Sequence, residues 1–401
     1  MLSFREGALR KRHLGNEERD AMNTSVALVK CETYSQEQVD HAIARSLGLL
    51  GGIERFVKPG QRVLLKVNLL AGAPPEKAVT THPAVVRAMI RQVRAAGGVP
   101  RIGDCSGYEG PPNLGRYYSV CRQSGIKQLC EEERVELLHL SAESVEVENP
   151  SGRAFKRFVL AREVAEADVI ISLPKLKTHG LTLFTGGVKI NFGCLPGLHK
   201  AEMHVRAQGA EPFSQMLVDL LLAVHPSLTV MDAVLGMHGN GPRNGQPKQI
   251  GAILASTDAV AVDAVACQMV GINPMMVPTT RVAHEQNVGI GDLAQIELLG
   301  EKLESMSVAD FRLPSSHGSF LSAAAMPFLR SRIVAKPVVA KDRCEGCWTC
   351  VEHCPASALS KDGRLPKVDY DRCIRCYCCQ EMCPHDAMEL RRPLLARLFS
   401  R

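Results

Sequence analysis

Two stretches near the end of the chain decide its organisation: CEGCWTCVEHCP at residues 344–355 and CIRCYCCQEMCP at residues 373–384. Each contains four cysteines spaced C-x2-C-x2-C-x3-C and followed directly by a proline. This spacing is typical of a module that holds two 4Fe–4S clusters. Two complete runs leave little room for a zinc site or a redox dithiol, for which a single C-x2-C is the usual signature.

The spacing also predicts which cysteines share a cluster. The first three of each run turn tightly around one cluster, and the fourth points away to ligate the other. The first predicted set is Cys344, Cys347, Cys350 and Cys383, and the second is Cys354, Cys373, Cys376 and Cys379.

Cys378 stands beside Cys379, but the x2 and x3 gaps select Cys379 as the ligand. We expect Cys378 to be a spare thiol packed near a cluster, and an exposed Cys378 would instead suit a redox sensor. Electron transfer is the expected function of this segment, and a purely structural pair of clusters is the alternative.

At 401 residues the chain is too long for a cluster module alone, so a second, larger core is expected. Its 45% hydrophobic and 22% charged residues are ordinary for a soluble globular protein, and its 4% aromatic content argues against a nucleic-acid surface that stacks bases. Iron–sulfur clusters require a reducing compartment. The N-terminus resembles no signal peptide, and no apolar run is long enough to span a membrane. We therefore predict a cytoplasmic protein.

The larger part of the chain alternates helical patterns with short buried strands. Apolar runs at 26–29, 63–67, 99–103, 168–173, 228–231 and 250–255 are predicted strands, and the last three have the pattern of parallel-type strands. Between them, a capping box at Ser35 and Gln38 begins one helix, and Thr81 with Pro83 begins another. The alternation predicts an α/β fold with a doubly wound, largely parallel sheet, joined to a small α+β ferredoxin-like domain.

The expected domain boundaries follow from changes in composition. Residues 1–23 are polar and aperiodic and are predicted to be a disordered tail, followed by the α/β domain at 24–312. Residues 313–340 are rich in Pro, Ser and small residues and are predicted to be a linker. The ferredoxin-like domain is expected at 341–391, and a basic tail at 392–401, where an amphipathic helix would pack on the protein itself or on a membrane surface.

The stretch LPKLKTHG at 173–180 and the stretch TGGVKINFG at 185–193 concentrate polar groups after a predicted strand. Ligands bind at the carboxyl ends of strands in such sheets, and glycines let the backbone approach a ligand closely. We expect a carboxylate or phosphate site, with His179, Lys177 and Lys189 as candidate catalytic residues. The candidate binding residues are Asn68, Asp104, Lys175, Lys177, Gly186, Gly187, Lys189, Asn191 and Lys200. The alternative is a basic surface loop with glycines for turns.

These patterns resemble one known family. LPKLKTHGLTLFTGGVKINFG, the NLL after the VLLKV strand, STDAVAVDAVA and CIRCYCCQEMCP are similar to iron–sulfur proteins that carry the domain of unknown function 362. The resemblance covers about residues 24–390. It implies an α/β domain followed by a bacterial-type two-cluster ferredoxin domain, and it implies no general activity.

Two functional hypotheses follow. In the first, an iron–sulfur oxidoreductase takes single electrons from an external protein and passes them to an anionic small molecule, with His179 supplying the proton. In the second, the protein is an electron carrier or scaffold, and its lysine-rich segment docks a protein partner. No short motif supports a flavin, although many flavin sites leave none, and the oligomeric state stays open and includes a homodimer.

Overall fold

A computed structural model describes residues 24–106, 114–317 and 334–393 of the chain. The strands are Thr24–Lys30 (β1), Arg62–Val67 (β2), Val99–Asp104 (β3), Glu136–His139 (β4), Ser144–Glu148 (β5), Arg157–Ala161 (β6), Val169–Leu173 (β7), Lys175–His179 (β8), Leu183–Thr185 (β9), Leu228–His238 (β10), Gln246–Ser256 (β11), Ile296–Gly300 (β12), Lys336–Val339 (β13), Leu359–Asp362 (β14), Leu365–Val368 (β15) and Met388–Arg391 (β16). The α-helices are Gln36–Leu49 (α1), Pro83–Ala95 (α2), Leu114–Gln123 (α3), Ile126–Glu133 (α4), Arg162–Glu166 (α5), His199–Arg206 (α6), Ala210–Val224 (α7), Ala259–Met269 (α8), Pro278–Glu285 (α9), Thr349–Glu352 (α10) and Cys378–Met382 (α11). A 3-10 segment at Lys189–Cys194 also contributes to the site described below.

The large domain is built on one mixed sheet in the order β12-β1-β11-β10-β7-β2-β3-β4, with β8 and β9 attached beside β10. The predicted α/β class is confirmed. Along the eight-strand path, β11 alone runs antiparallel to its neighbours β1 and β10. The prediction that residues 250–255 form a parallel-type strand was therefore wrong. A strand covered on both faces is apolar throughout, so its sequence does not encode its direction.

The two faces of β2 show why helices cover both sides of this sheet. Val63, Leu65 and Val67 pack with α1 and α2 in one apolar cluster. Leu64 points to the opposite face and packs in a second cluster with α7. Successive side chains of a strand alternate between faces, so an apolar strand requires cover on each side.

The predicted N-cap residue is correct for helix α1 and differs by one position for helix α2. Ser35 caps α1, since its side chain accepts a hydrogen bond from the Gln38 backbone N–H. The cap of α2 is His82 rather than the predicted Thr81. The Thr81 hydroxyl instead accepts from the Asn68 backbone N–H at 2.9 Å and donates to the Leu173 carbonyl at 2.7 Å. It thus ties together the carboxyl ends of β2 and β7.

The cysteine-containing domain consists of two small antiparallel sheets, β13 with β16 and β14 with β15, together with α10 and α11. β13 begins at Lys336 and pairs with β16, so the last part of the segment predicted as a linker, 313–340, pairs with a strand of the cysteine-containing domain. The predicted tail at 1–23 lies outside the described residues, as do residues 318–333 of the linker and residues 394–401 of the basic tail.

Candidate functional site

The structure places the eight predicted ligand cysteines around two cavities. Both are otherwise lined largely by apolar side chains and backbone. One cavity is lined by Cys344, Cys347, Cys350 and Cys383. The other is lined by Cys354, Cys373, Cys376 and Cys379. We name them the first and the second cysteine cavity. The fourth cysteine of each run crosses to the cavity of the other run, as the spacing predicts.

The surroundings of the cysteines fit iron–sulfur clusters. Thiolate ligands of a cluster are stabilised by backbone N–H groups that point at sulfur. The Ala358 N–H donates to Cys354 Sγ at 3.2 Å, and the Ala387 N–H donates to Cys383 Sγ at 3.2 Å. Cys378 lines neither cavity and is buried, which argues against its use as an exposed redox sensor.

Helix α11 joins the cysteine domain to the α/β domain. Its residues are buried, and its backbone and side chains bond to the loop between β10 and β11. Gln380 Nε2 donates to the Asn240 carbonyl at 3.0 Å, and Asn244 Nδ2 donates to the Gln380 carbonyl at 3.0 Å. Arg243 donates to the Met382 carbonyl at 3.2 Å. The helix that contains the predicted ligand Cys379 and leads into the predicted ligand Cys383 therefore lies against the larger domain.

Beneath this helix, two buried ion pairs mark the carboxyl ends of the strands. The Lys66 ammonium lies 2.8 Å from Asp104, and the Lys175 ammonium lies 2.9 Å from Asp232. All four side chains are at most 4% exposed. The Tyr34 hydroxyl also donates to Asp232 at 2.8 Å. These lysines are neutralised by their partners and hold the ends of the sheet in place.

Lys177 lacks such a carboxylate partner. Its ammonium donates to Asn68 Oδ1 at 2.7 Å and to the Val79 carbonyl at 2.8 Å, both neutral oxygens. Burial, together with the positive charges of Lys189 and Lys175, lowers the pKa of Lys177 to about 7. Taking a charged ammonium out of water without a counter-charge costs several kcal/mol, and the depressed pKa reflects that cost.

A cavity of about 70 Å³ lies between the ends of the strands and helix α11, and we name it the lysine cavity. Its polar lining comes from Asn68, Asp104, Lys175, Thr185, Lys189, Lys200, His204 and Glu381. Glu381 and its neighbour Met382 belong to the cysteine domain, so both domains contribute to the wall. The volume corresponds to roughly two water molecules, and it suits a small ligand or the head group of a larger one.

Six of the residues predicted to bind a ligand line this cavity: Asn68, Asp104, Lys175, Gly186, Lys189 and Lys200. Lys177, His179, Gly187 and Asn191 lie outside its lining. Asn191 donates from Nδ2 to the Gly187 and Val188 carbonyls, each at 3.1 Å, and so shapes the turn that leads to Lys189. The segment 175–185, which could have been a surface loop, forms the buried strands β8 and β9.

Lys189 is the cation of the cavity with the fewest direct partners. Within the described ranges its ammonium makes no hydrogen bond or ion pair, and it lies 5.7 Å from the centroid of the Phe192 ring. Burial lowers the pKa of Lys189, whereas the negative charge of Glu381 opposes that shift. Lys200 donates to the Cys105 carbonyl, a neutral oxygen. Lys189 is therefore available to an anion.

His179 lies behind the cavity wall and contacts the cysteine domain. Its Nε2 is 2.9 Å from Glu381 Oε1. Its Nδ1 accepts from the backbone N–H groups of Leu181 at 3.0 Å and Thr182 at 3.2 Å. Nδ1 must therefore be unprotonated, which assigns the proton to Nε2. Burial lowers the pKa of His179 to about 4, in agreement with a neutral ring.

His204 and Glu381 are lining residues that sequence reasoning did not select. The His204 ring stacks on Phe213 at 4.4 Å between centroids and meets Phe192 edge-on at 5.4 Å, which fixes its orientation. Burial lowers the pKa of His204 to about 3. The sequence did not indicate Glu381 as a site residue, because it lies inside a cysteine run. Its contact with the cavity depends on how the two domains dock.

Comparisons with known proteins agree with this architecture. Residues 63–268 match the family described as Domain of unknown function (DUF362), and residues 343–387 match the 4Fe-4S dicluster domain. The thylakoid-associated protein sll1697 of Synechocystis sp. is 35% identical over 274 residues, which span 68% of this chain and 82% of that protein. Within the part of the chain that the structure describes, no helix has the length and apolar character to cross a bilayer.

Among solved structures, the lactate racemase apoprotein from Thermoanaerobacterium thermosaccharolyticum aligns with a TM-score of 0.39 and 10% identity. The alignment covers 64% of this chain and 58% of that one, and a likeness at this level carries no conclusion about activity. The match over residues 63–268 and the identity to the Synechocystis protein confirm the resemblance that the sequence motifs showed. This chain is a member of the DUF362 family and carries a C-terminal 4Fe-4S dicluster domain.

Proposed function

We propose that the protein is an iron–sulfur oxidoreductase that acts on an anionic small molecule held in the lysine cavity. The 4Fe-4S dicluster domain supports an electron-transfer role. Clusters held by the two cysteine sets would supply single electrons. The same helix that carries Cys379 and leads into Cys383 also carries Glu381, which lines the cavity. A bound molecule would therefore lie beside the cysteine domain.

The observation that carries the proposal is an excess of positive charge at buried and half-buried lysines. Once the pairs Lys66–Asp104 and Lys175–Asp232 are set aside, Lys177 and Lys189 remain in or next to the cavity with no carboxylate at ion-pair distance among the described residues, whereas Glu381 is the remaining carboxylate of the cavity lining. Buried charges in proteins are normally paired, because an unpaired one is costly. A bound carboxylate or phosphate would supply the missing negative charge.

We assign roles to residues by their position. Lys189, Lys200 and the Asn68 side chain would bind the anion. Reduction of most small molecules also needs a proton, and we assign it to His204, whose ring lines the cavity. An anion bound nearby would favour the protonated ring and so raise its pKa. His179, the donor expected from the sequence, would instead position Glu381.

Burial disfavours the alternative in which the lysine-rich segment docks a protein. Lys175 and Lys177 are each 1% exposed and Lys200 is 5% exposed, so they cannot form a surface patch. The carrier hypothesis would need a different surface. We further propose an external one-electron partner protein and, because the clusters require reducing conditions, a cytoplasmic location.

The test is anaerobic purification, followed by iron and sulfide assays and mass spectrometry of the small molecules released on denaturation. We expect about eight irons per chain and a stoichiometric anionic compound. Lys189→Met should keep the iron and lose the compound, whereas Lys156→Met, at an exposed lysine, should keep both. Wild-type protein with eight irons, but with no retained anion and no measurable affinity for anions, would contradict the proposal.

A further inference from the structure

Glu381 holds a fixed position between the lysine cavity and the cysteine ligands. It lies in the short helix α11, two residues after Cys379 and two residues before Cys383. In a helix, Cα atoms two residues apart are separated by about 5.5 Å. The carboxylate points away from the cysteines into the α/β domain, where it contacts His179 and lines the lysine cavity.

The carboxylate also faces the cationic side chains in and next to the cavity. It is 8% exposed, so water screens it weakly. Its negative charge opposes the burial-driven fall in the pKa of Lys189, and it acts in the same sense on Lys177 and His204. Electrostatic coupling between Glu381 and the cavity is thus present before any ligand binds.

We propose that Glu381 couples the lysine cavity electrostatically to the cysteine domain, so that an anion in the cavity and an added electron at the cysteine-held clusters disfavour each other. This inference rests on the proposed function. An added electron increases the negative charge beside α11, and an anion in the cavity lies on the other side of the same turn. Like charges at such a distance in a weakly screened interior repel each other.

The coupling is reciprocal by thermodynamic necessity. If the reduced protein binds the anion less tightly than the oxidised protein, then the anion lowers the reduction potential by an equivalent amount. With charges about 10 Å apart in a partly buried site, we expect an effect of about tenfold in affinity. For a one-electron couple, tenfold corresponds to about 59 mV. Binding would thereby make the stored electron easier to donate at the moment when its acceptor is in place.

Glu381 sets the baseline of this coupling. A permanent negative charge at this position disfavours both a further electron and a bound anion. Removal of the charge should therefore raise the reduction potential and tighten anion binding together. A residue that only holds the two domains in contact would not shift both quantities in these directions.

The experiment is a spectroscopic redox titration of the anaerobic holoprotein, with and without sulfate, together with calorimetric measurement of sulfate affinity. Glu381→Gln removes the charge and keeps the size, and Glu381→Asp keeps the charge. The matched control is Glu389→Gln in the same domain, where the carboxylate pairs with Arg343 and Arg391 at the surface. We expect Glu381→Gln alone to raise the potential of the ligand-free protein and to bind sulfate several-fold more tightly.

The outcomes separate this inference from the proposed function. If sulfate binds but shifts no potential, and Glu381→Gln behaves like Glu389→Gln, the coupling is wrong and the anion site stands. If sulfate and other small anions bind neither wild type nor variants, the proposed anion site is wrong. In that case the reduction potential of ligand-free Glu381→Gln still decides whether Glu381 acts on the clusters. A potential equal to that of Glu389→Gln overturns the coupling. A higher potential supports an electrostatic effect of Glu381 on the clusters.

Discussion

Glu381 Oε1 lies 2.9 Å from His179 Nε2, and this contact joins the cysteine domain to the end of strand β8 in the α/β domain. Both atoms are buried, and neither makes a hydrogen bond of good geometry among the described residues, so the polar interaction between them is this close contact. The His179 ring is held from its other side by two backbone N–H groups, and the side chain is fully buried. The imidazole therefore connects the α/β backbone with the carboxylate that lines the cavity.

The first prediction tests this connection. His179→Ala removes the partner of Glu381 and the acceptor of two backbone N–H groups. We expect it to lower the free energy of unfolding by about 3–5 kcal/mol, because it leaves a buried carboxylate and two buried donors unpaired. Anaerobic denaturant titration measures the change, and the iron content reports whether the cysteine domain stays intact.

His179→Asn provides a matched comparison for this prediction. The asparagine oxygen can replace Nδ1 as the acceptor for Leu181 and Thr182, but the side chain is too short to reach Glu381. We expect an intermediate loss of stability, and the difference between the two variants reports the backbone hydrogen bonds. Equal losses in both variants would show that the contact with Glu381 carries the whole effect, and no loss in either would refute the connection.

The second prediction concerns the pH dependence of stability. The pKa of Lys177 is about 7 in the folded protein and returns to its ordinary value of 10.5 on unfolding. Between these values the unfolded state holds a proton that the folded state has released. The free energy of unfolding should therefore rise with pH from about 7 to 10.5, by at most about 1.4 kcal/mol per pH unit from this residue. Below pH 7 both states are protonated and its contribution is constant.

Lys177→Met isolates this contribution, since methionine has a similar length and no charge. Denaturant titrations at several pH values should give a smaller upward slope for the variant than for the wild type above pH 7. Identical slopes would show that Lys177 remains protonated in the folded state, stabilised by Asn68 and the Val79 carbonyl.

Much of the architecture could be predicted because it depends on local patterns. The apolar run of β2 requires cover on both faces, and the cysteine spacing encodes how the two runs exchange their fourth residue. The direction of β11 could not be predicted, because buried parallel and antiparallel strands have the same composition. The difference between Thr81 and His82 at the start of α2 arose because Thr81 bonds to two neighbouring strands.

The site was predicted where it depends on strand ends and missed where it depends on domain docking. Asp104 ends β3, Asn68 directly follows β2 and Lys175 comes two residues after β7, and all three line the cavity. Glu381 reaches the same cavity from a segment more than two hundred residues further along the chain, and no periodicity connects it with the strand ends. His179 was placed in the site because it lies in the lysine-rich stretch, but strand β8 directs it toward Glu381 behind the cavity wall.

The third prediction uses two glycines with opposite surroundings. A Cβ at Gly193 would lie 2.1 Å from Asp104 Oδ1 and 2.6 Å from Lys66 Nζ, so Gly193→Ala must separate this buried ion pair. We expect a loss of about 1–3 kcal/mol in the free energy of unfolding.

Gly48→Ala is the control, because Gly48 lies in α1 with open space around its Cβ position. There alanine should stabilise the protein by about 0.5–1 kcal/mol. Thermal unfolding of the two variants should shift in opposite directions, and a neutral Gly193→Ala would contradict the tight packing at the strand ends.

The last prediction distinguishes the adjacent thiols Cys378 and Cys379. Cys379 lines the second cysteine cavity, whereas Cys378 lines neither, although both are buried at the start of α11. Cys379→Ala should therefore lower the iron content from about eight to about four per chain, because one cluster loses a ligand. Cys378→Ala should retain about eight irons and an intact cluster spectrum, and it serves as the matched control, since it removes a neighbouring thiol from the same helical turn. Iron and sulfide assays after anaerobic reconstitution measure both. Loss of iron in Cys378→Ala with retention in Cys379→Ala would reverse the assignment and would mean that the ligand spacing of the second run is C-x-C rather than C-x2-C.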